Sequence, residues 1–355
     1  MRVACRWAPV MTRPDHHSVA SDRSGVEPFG FLLLPEFPLY AMIPALESLR
    51  VANQNVGRRV FSGHLFSLDG RPVAAGNGMT LVPERAITEV PFFPTVIVCG
   101  GNHPLKHVDQ KVLSWLRRLD RHGARLGAID TGAFALAAAG LLDGHRATLH
   151  WEAIALFREH FPDVLVREQL YVVDRNRVTC AGGTAALDMM LHLIERHHGR
   201  DLAQIVANGF VHGQVRRPAE EQRFSADDVG GHVDPRLGRV VRSMETNIET
   251  PLGRAELAAR AGISVRQMER LVRTRFADTP MSYYLKLRLQ AARNHLFYGE
   301  MPVQDIAVAC GFCSPAVLSR TFRAHFGLSP REFRSQFSGD ELRRFRPEIR
   351  QQLSL

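Results

Sequence analysis

Two hydrophobic patterns divide the chain into an upstream and a downstream part. Between residues 28 and 222, short apolar runs alternate with segments in which apolar residues recur at helical spacing. The runs cover residues 29–34, 95–99, 125–129 and 178–180. Apolar runs of this kind are typical of parallel strands that are covered on both faces. The pattern therefore predicts an α/β domain over residues 28–222, with a parallel sheet between two layers of helices.

The downstream pattern is helical throughout. Residues 236–337 show only helical spacing, which predicts an all-α domain. Residues 223–235 are polar and contain glycines, and they predict a linker between the two domains. Residues 1–27 and 338–355 predict loose polar tails, and the first of these lacks the apolar core of a signal peptide.

An internal repeat lies in the helical part. Residues 256–264 match residues 305–314, and Arg270, Phe276 and Pro280 recur fifty positions later as the same residue types. Each copy predicts a helix, a glycine turn and a second helix that begins at a capping serine. This order of elements is that of a helix-turn-helix, so the sequence predicts two such motifs.

A predicted helix over residues 281–298 connects the two copies. Its length is about 27 Å at the usual rise per residue. That length could set the second helices of the two copies about one DNA turn apart, roughly 34 Å. The spacing favours a protein that contacts two successive major grooves.

The charge of the chain points to the same partner. The formal net charge is +9, and residues 254–334 alone carry thirteen basic and six acidic side chains. A basic helical domain with two helix-turn-helix motifs favours binding to double-stranded DNA. The alternative is a structural helical bundle whose arginines are simply solvated.

Cysteines and apolar segments exclude several other classes of protein. The five cysteines form an odd, sparse set that does not suggest a disulfide framework, and no apolar run is long enough to span a membrane. We therefore expect a cytoplasmic protein without membrane contact. Cys310 and Cys313 have the spacing of half a zinc site, but no second pair completes it, so we expect neither a metal nor a cofactor.

The downstream unit resembles the AraC/XylS family of transcription regulators over about 100 residues. The residues that carry the resemblance are Leu257, Ala258, Gly262, Arg270, Ile306, Ala307, Gly311, Phe312, Arg320, Phe326, Gly327, Ser329 and Pro330. The resemblance implies that Arg266, Glu269 and Arg270 of the first motif face base edges. In the second motif, it implies the same for Ala316, Val317, Ser319 and Arg320.

Other side chains extend these two predicted DNA-binding faces, namely Gln267, Arg273 and Arg323. Arg270 and Arg320 occupy equivalent positions of the repeat. A role in binding phosphate or in holding the fold is therefore an equal alternative for this pair.

The upstream domain resembles the glutamine amidotransferase-like, PfpI-type fold, in the version that GlxA-like regulators fuse to an AraC-type domain. The resemblance rests on residues 127–137, 140–144 and 147–151 and covers about residues 28–215. It implies a flavodoxin-like α/β domain. Enzymes of this fold carry a cysteine nucleophile at the strand-to-helix turn, where this chain has Asp130. A carboxylate does not replace a thiolate in amide chemistry, so we expect no catalytic residues and no enzyme activity.

The sequence therefore favours a sensor domain with a ligand pocket. We expect Asp130 to face a small cationic metabolite, and Trp151 to add a cation–π face. The further candidate ligand-binding residues are Thr131, Gly132, His150, Gly100, Gly101 and Glu36. Two alternatives remain open, because Asp130 could merely cap the helix that follows it and His150 could be a structural histidine.

The resemblance also implies the protein's partners. With an aspartate at this position, the chain resembles regulators that respond to arginine, glycine betaine, carnitine and related amines. We expect a homodimer that binds promoter DNA and contacts RNA polymerase, commonly as an activator of amine or amino-acid catabolism genes. The alternatives are an amidotransferase- or hydrolase-like enzyme with a DNA-binding appendage, and a DNA-binding protein without an effector.

Overall fold

The protein is described by a computed structural model of residues 25–222 and 234–337. The first range forms an α/β domain and the second a helical domain. The predicted tails, apart from residues 25–27, lie outside the described residues, as does most of the predicted linker. Two boundaries differ by one residue from the prediction, because a strand already begins at Glu27 and a helix already begins at Pro235.

The α/β domain contains eleven strands among its described residues. They are β1 (Glu27–Leu33), β2 (Phe61–Ser67), β3 (Val73–Ala74), β4 (Thr80–Leu81), β5 (Arg85–Ala86), β6 (Thr95–Gly100), β7 (Arg125–Asp130), β8 (Arg146–Ala147), β9 (Leu165–Val166), β10 (Tyr171–Asp174) and β11 (Arg177–Cys180). Seven of them form one sheet in the order β10-β11-β7-β6-β1-β2-β5. All neighbours in this sheet are parallel except β10 and β11.

Helices cover both faces of this sheet, as the sequence predicts. They are α1 (Leu39–Val56), α2 (Gln110–Arg121), α3 (Ala133–Ala138), α4 (Ile154–His160), α5 (Ala185–His198) and α6 (Arg200–Gly209). One apolar core joins α1, α5 and α6 to the sheet, and a second joins α2, α3 and α4 to the opposite face. The predicted flavodoxin-like α/β class is therefore confirmed.

The helical domain contains only helices among its described residues. They are α7 (Pro235–Glu245), α8 (Arg254–Ala261), α9 (Val265–Phe276), α10 (Pro280–Tyr298), α11 (Val303–Ala309), α12 (Pro315–Phe326) and α13 (Pro330–Phe337). The pairs α8–α9 and α11–α12 are the two predicted helix-turn-helix motifs. Each first helix ends near a glycine with positive φ, Gly262 in one motif and Gly311 in the other, because the sharp turn needs a left-handed residue there.

The predicted caps hold the second helices. The hydroxyl of Ser264 accepts a hydrogen bond from the backbone N–H of Gln267, whose side chain in turn accepts one from the backbone of Ser264. Ser314 caps α12 in the same position. Helix α10 runs through the domain and packs on α9, α11, α12 and α13. No helix within residues 25–222 and 234–337 is long and apolar enough to cross a membrane.

Candidate functional site

The candidate ligand site lies where the order of strands in the sheet reverses, between β1 and β6. Strand β1 is followed along the chain by β2 on one side, while its other neighbour is β6. In open α/β sheets the carboxyl ends of strands at such a point border a crevice in which ligands bind. Strands β1, β6 and β7 all end at this edge.

Strained backbone marks the same edge. Glu36 and His103, which follow β1 and β6, and Asp130, the last residue of β7, have φ angles of 63°, 49° and 59°. Positive φ is uncommon for residues other than glycine and costs free energy that the surrounding fold must supply. The structure therefore places strained backbone at the carboxyl ends of three neighbouring strands.

The crevice contains a cavity of 460 Å³, here called the Asp130 cavity. Residues of both domains line it. The α/β domain contributes Glu36, Tyr40, Asn77, Gly101, Asn102, Asp130, His150 and Glu152, among others, and α10 contributes Arg293, Phe297 and Tyr298. Three carboxyl groups face one guanidinium, so the charged groups of the cavity are predominantly acidic.

Asp130 is the most buried acid of the cavity, with 7% of its surface exposed. Burial raises the pKa of its carboxyl to about 8, although a hydrogen bond from the backbone N–H of Thr131 partly opposes this shift, and nearby Glu152 raises the pKa further. Removal from water disfavours the charged form of a carboxyl unless a cation accompanies it. Asp130 is therefore largely protonated near neutral pH and would ionise when a cation binds.

The alternative that Asp130 caps the following helix does not fit the structure. The helix begins at Ala133, not at Thr131 as predicted, and its cap position is Gly132, without a side-chain hydrogen bond. The chain is held differently, since the hydroxyl of Thr131 donates to the carbonyl of Gly101 over 2.5 Å. The Asp130 carboxyl instead lies against Gly182, where a Cβ atom would be only 2.7 Å from its Oδ2.

The structure brings together only some of the predicted ligand-binding residues. Glu36, Gly101, Asp130 and His150 line the cavity. Burial lowers the pKa of His150 and so favours its neutral form. Thr131, Gly132 and Gly100 lie beneath the cavity, where the missing side chains of the glycines allow the turn after β7 to touch β6.

The predicted position of Trp151 is wrong. Its ring packs against the apolar core next to α4 and is not part of the cavity wall. The aromatic residues that line the cavity are Phe37, Tyr40, Phe297 and Tyr298. Sequence reasoning also missed Glu152, although its neighbours at 150 and 151 were among the candidates.

The thiols nearest to Asp130 are not activated. Cys99 and Cys180 are fully buried in the sheet. Burial raises the pKa of the Cys180 thiol to about 12 and shifts that of Cys99 in the same direction. Because the thiolate is the nucleophilic form, neither thiol is prepared for catalysis.

The predicted DNA-binding residues lie along α9 and α12. Arg266, Gln267, Arg270, Arg273, Ala316, Arg320 and Arg323 are exposed, and Glu269, Val317 and Ser319 are half-buried. Two of the set have partners within the domain, since Arg323 donates to Glu332 over 2.8 Å and Glu269 lies 3.7 Å from Arg254. Arg270 and Arg320 form no ion pair among the described residues.

No metal site forms around the two neighbouring cysteines. Cys310 is buried, and Arg288 covers its turn by donating to the carbonyls of Cys310 and Gly311. Cys313 is exposed. Across residues 25–222 and 234–337, no group of three or more His, Cys, Asp or Glu side chains could hold a metal ion.

Comparisons with known proteins match both domains. The DJ-1/PfpI family model matches residues 45–196, and a helix-turn-helix domain model matches residues 257–336. The HTH-type transcriptional regulator CdhR of Pseudomonas aeruginosa is 43% identical over 86% of this chain and 91% of its own length. The regulator GlxA of Rhizobium meliloti is 38% identical over 89% of this chain and 98% of its own length.

A more distant relative is an enzyme. The isonitrile hydratase of Pseudomonas putida is 30% identical over 50% of this chain and 75% of its own length. Its likeness is thus to part of the chain only, whereas the two regulators match nearly all of it. The chain belongs to the AraC-type family of HTH transcriptional regulators that carry an amino-terminal DJ-1/PfpI domain.

Proposed function

We propose that the α/β domain of this regulator is a non-catalytic sensor that binds a small cationic metabolite in the Asp130 cavity. One observation carries the proposal, namely that the fold buries the Asp130 carboxyl in a strained conformation beside the cavity and pairs it with no cation among the described residues. Perturbed ionisable groups of this kind are typical of functional sites. Glu36 and Glu152 add negative charge, and Tyr40, Phe297 and Tyr298 add aromatic faces that attract cations.

Calorimetry on the full chain tests the sensor. The probes are glycine betaine, carnitine, arginine and choline, each of which carries a cationic group, and the matched control is the uncharged carbon isostere of choline. We expect at least one cation to bind, the uncharged isostere not to bind, and Asp130→Asn to abolish the binding. If no cation binds, or if Asp130→Asn binds as tightly as the wild type, the proposal is wrong.

The chemistry of the site argues against a hydrolase or an amidotransferase. Asp130 stands where the enzymes of the fold carry their nucleophile, and the neighbouring thiols are held in the protonated form. A carboxylate lacks the nucleophilic strength that such reactions require. Turnover of an amide or an isonitrile by the purified protein would contradict this part of the proposal.

We further propose that α9 and α12 read promoter DNA as neighbouring recognition helices. Arg266 lies exposed in the first turn of α9, where side chains reach base edges. Arg266→Ala should relax specificity at one base position, whereas Arg323→Ala should weaken binding to all sequences alike. Gel shifts on systematically mutated upstream DNA distinguish the two patterns, and the reverse pattern would mean that the faces are assigned wrongly.

The remaining partners follow from this mode of action. We infer a homodimer that places two pairs of recognition helices on repeated half-sites and contacts RNA polymerase as an activator, and we infer a cytoplasmic location because promoter DNA lies there. Equilibrium sedimentation of the complex with its upstream DNA tests the stoichiometry. One chain per site at saturation would rule out the dimer.

A further inference from the structure

Helix α10 makes contacts in both domains. One face holds the helical domain together, with Leu289, Ala292 and Leu296 in the core around α11 and α12. The other face packs against the 3₁₀ turn Trp151–Ala153 of the α/β domain. The helix that connects the two helix-turn-helix motifs is therefore also an interface element.

A single carboxylate of the α/β domain anchors this interface. Glu152 accepts hydrogen bonds from the guanidinium of Arg293 over 2.9 Å, from the hydroxyl of Tyr298 over 3.0 Å and from the amide of Gln290 over 3.3 Å. Its side chain is only 14% exposed. Charge-assisted hydrogen bonds that are partly shielded from water are stronger than those on an open surface.

Apolar contacts extend the anchor. Tyr298 is 8% exposed and belongs to the core of the α/β domain. The backbone of Gly299 lies so close to Leu156 that an added Cβ would be 3.3 Å from its side chain. The ring of Phe297 lies 6.1 Å from that of His103 at the cavity edge.

We propose that α10 is a wall of the ligand site, so that a cation in the Asp130 cavity stabilises the docking of the helical domain on the α/β domain. The inference rests on the sensor function proposed above and adds how the site is read out. A ligand that fills the cavity touches Asp130 and Glu36 on one side and Arg293, Phe297 and Tyr298 on the other. Because these last three belong to α10, the ligand makes its full set of contacts only while the domains are docked.

The sign of the coupling follows from the geometry. The exposed guanidinium groups of Arg266, Arg270 and Arg320 remain exposed while α10 is docked, so docking leaves the two recognition faces open. Docking fixes the helix that separates these faces, which removes freedom that DNA binding would otherwise have to remove. Ligand and DNA therefore strengthen each other's binding by the same factor.

Two variants of α10 test this coupling between ligand binding and domain docking in the full chain. Arg293→Gln removes a cavity wall residue that is bonded to Glu152, whereas Gln290→Ala removes a bond to Glu152 from a residue outside the cavity wall. The matched control is Lys286→Gln, which removes a cation from the same helix that is paired with Asp278 in the helical domain. Calorimetry measures the affinity for the cation that binds best in the wild type, and hydrogen exchange follows residues 290–299.

We expect the ligand to slow amide exchange in residues 290–299 of the wild type. We expect Gln290→Ala to weaken ligand binding by about two- to fivefold, because it loosens α10 without changing the charge of the cavity. Arg293→Gln also removes a positive charge from the cavity wall, which by itself favours a cation, so this variant is read through its hydrogen exchange. Both variants should also exchange faster than the wild type without ligand, while Lys286→Gln changes neither quantity.

Three outcomes would overturn the inference in distinguishable ways. If the wild type binds a cation but exchange in residues 290–299 stays the same and Gln290→Ala binds with unchanged affinity, the coupling through α10 is wrong and the sensor function stands. If no cation binds, the proposed sensor function is wrong, and the coupling that rests on it is wrong as well. If neither variant exchanges faster without ligand, Glu152 does not anchor α10.

Discussion

The α/β domain buries two aspartates in opposite circumstances. Asp188 on α5 is fully buried, and its carboxylate accepts hydrogen bonds from His212 and from the backbone and guanidinium of Arg216. Asp130 at the end of β7 is almost as buried, but among the described residues its carboxyl accepts only the N–H of Thr131 and forms no ion pair. One acid has a cation supplied by its own chain, and the other does not.

This difference separates a structural group from a binding group. A buried charge is retained when the fold pairs it, and Asp188 fastens the segment that carries Arg216 to α5. When the fold leaves a buried carboxyl without a cation, its ionised form is disfavoured. Such a carboxyl can bind a ligand that supplies the missing positive charge.

Replacing the paired aspartate should cost the most stability. Asp188→Asn keeps the size of the side chain but leaves Arg216 beside a neutral group. We expect the free energy of unfolding to fall by about 3–5 kcal/mol, as is usual when one partner of a buried ion pair is removed. Urea denaturation measures it, and a loss below about 1 kcal/mol would show that the pair is not an anchor.

Replacing the unpaired aspartate should have the opposite effect and raise the free energy of unfolding. The folded pKa of about 8 lies above the value of 3.8 for a free carboxyl, so the cost of burying the charge grows as the pH rises from 3.8 to 8. Asp130→Asn removes this cost, and asparagine tolerates positive φ as aspartate does. We expect a gain of about 2–4 kcal/mol at pH 7, and a loss of stability would contradict the comparison.

Ligand affinity should depend on pH through the same carboxyl. A cation binds the ionised form of Asp130, so affinity should rise by up to about tenfold per pH unit below 8 and level off above it. Burial lowers the pKa of His150, which favours its neutral form and so reduces any opposing effect of this imidazole. Calorimetry in buffers of different ionisation enthalpy should detect release of a proton on binding, and a flat profile between pH 6 and 8 would contradict the assignment.

The smallest effect concerns the rim of the paired site. The Arg216 guanidinium also donates to the hydroxyl of Thr184 over 2.6 Å. Thr184→Val removes this acceptor and should cost about 1 kcal/mol of stability without changing ligand affinity. Thermal denaturation checks the first statement and ligand titration the second, and a change in affinity would mean that the two sites are not independent.

The strands around the site could be predicted because their chemistry is local. The apolar runs before Gly100 and Asp130 are uninterrupted, and a buried parallel strand needs little else. The turn after β7 was less predictable, since α3 begins at Ala133 and Thr131 bonds to Gly101 instead of starting the helix. The contact that holds Thr131 out of α3 is made to Gly101, which follows another strand, β6.

The wall from α10 could not be predicted from the sequence. Arg293 and Glu152 are 141 positions apart, and nothing in the helical spacing of α10 sets Arg293 apart from a solvated arginine. Trp151 failed for a related reason, because its place next to His150 in the sequence does not say which side chain faces the cavity. Both errors concern contacts between distant segments, which periodicity does not describe.

The most direct test of the account is the affinity of the full chain for its upstream DNA, measured by fluorescence anisotropy with and without a saturating cation. We expect at least one of glycine betaine, carnitine, arginine and choline to tighten binding about fivefold or more in the wild type. We expect no such change in Asp130→Asn. If none of these cations changes the affinity of the wild type, or if Asp130→Asn responds as the wild type does, the account is contradicted.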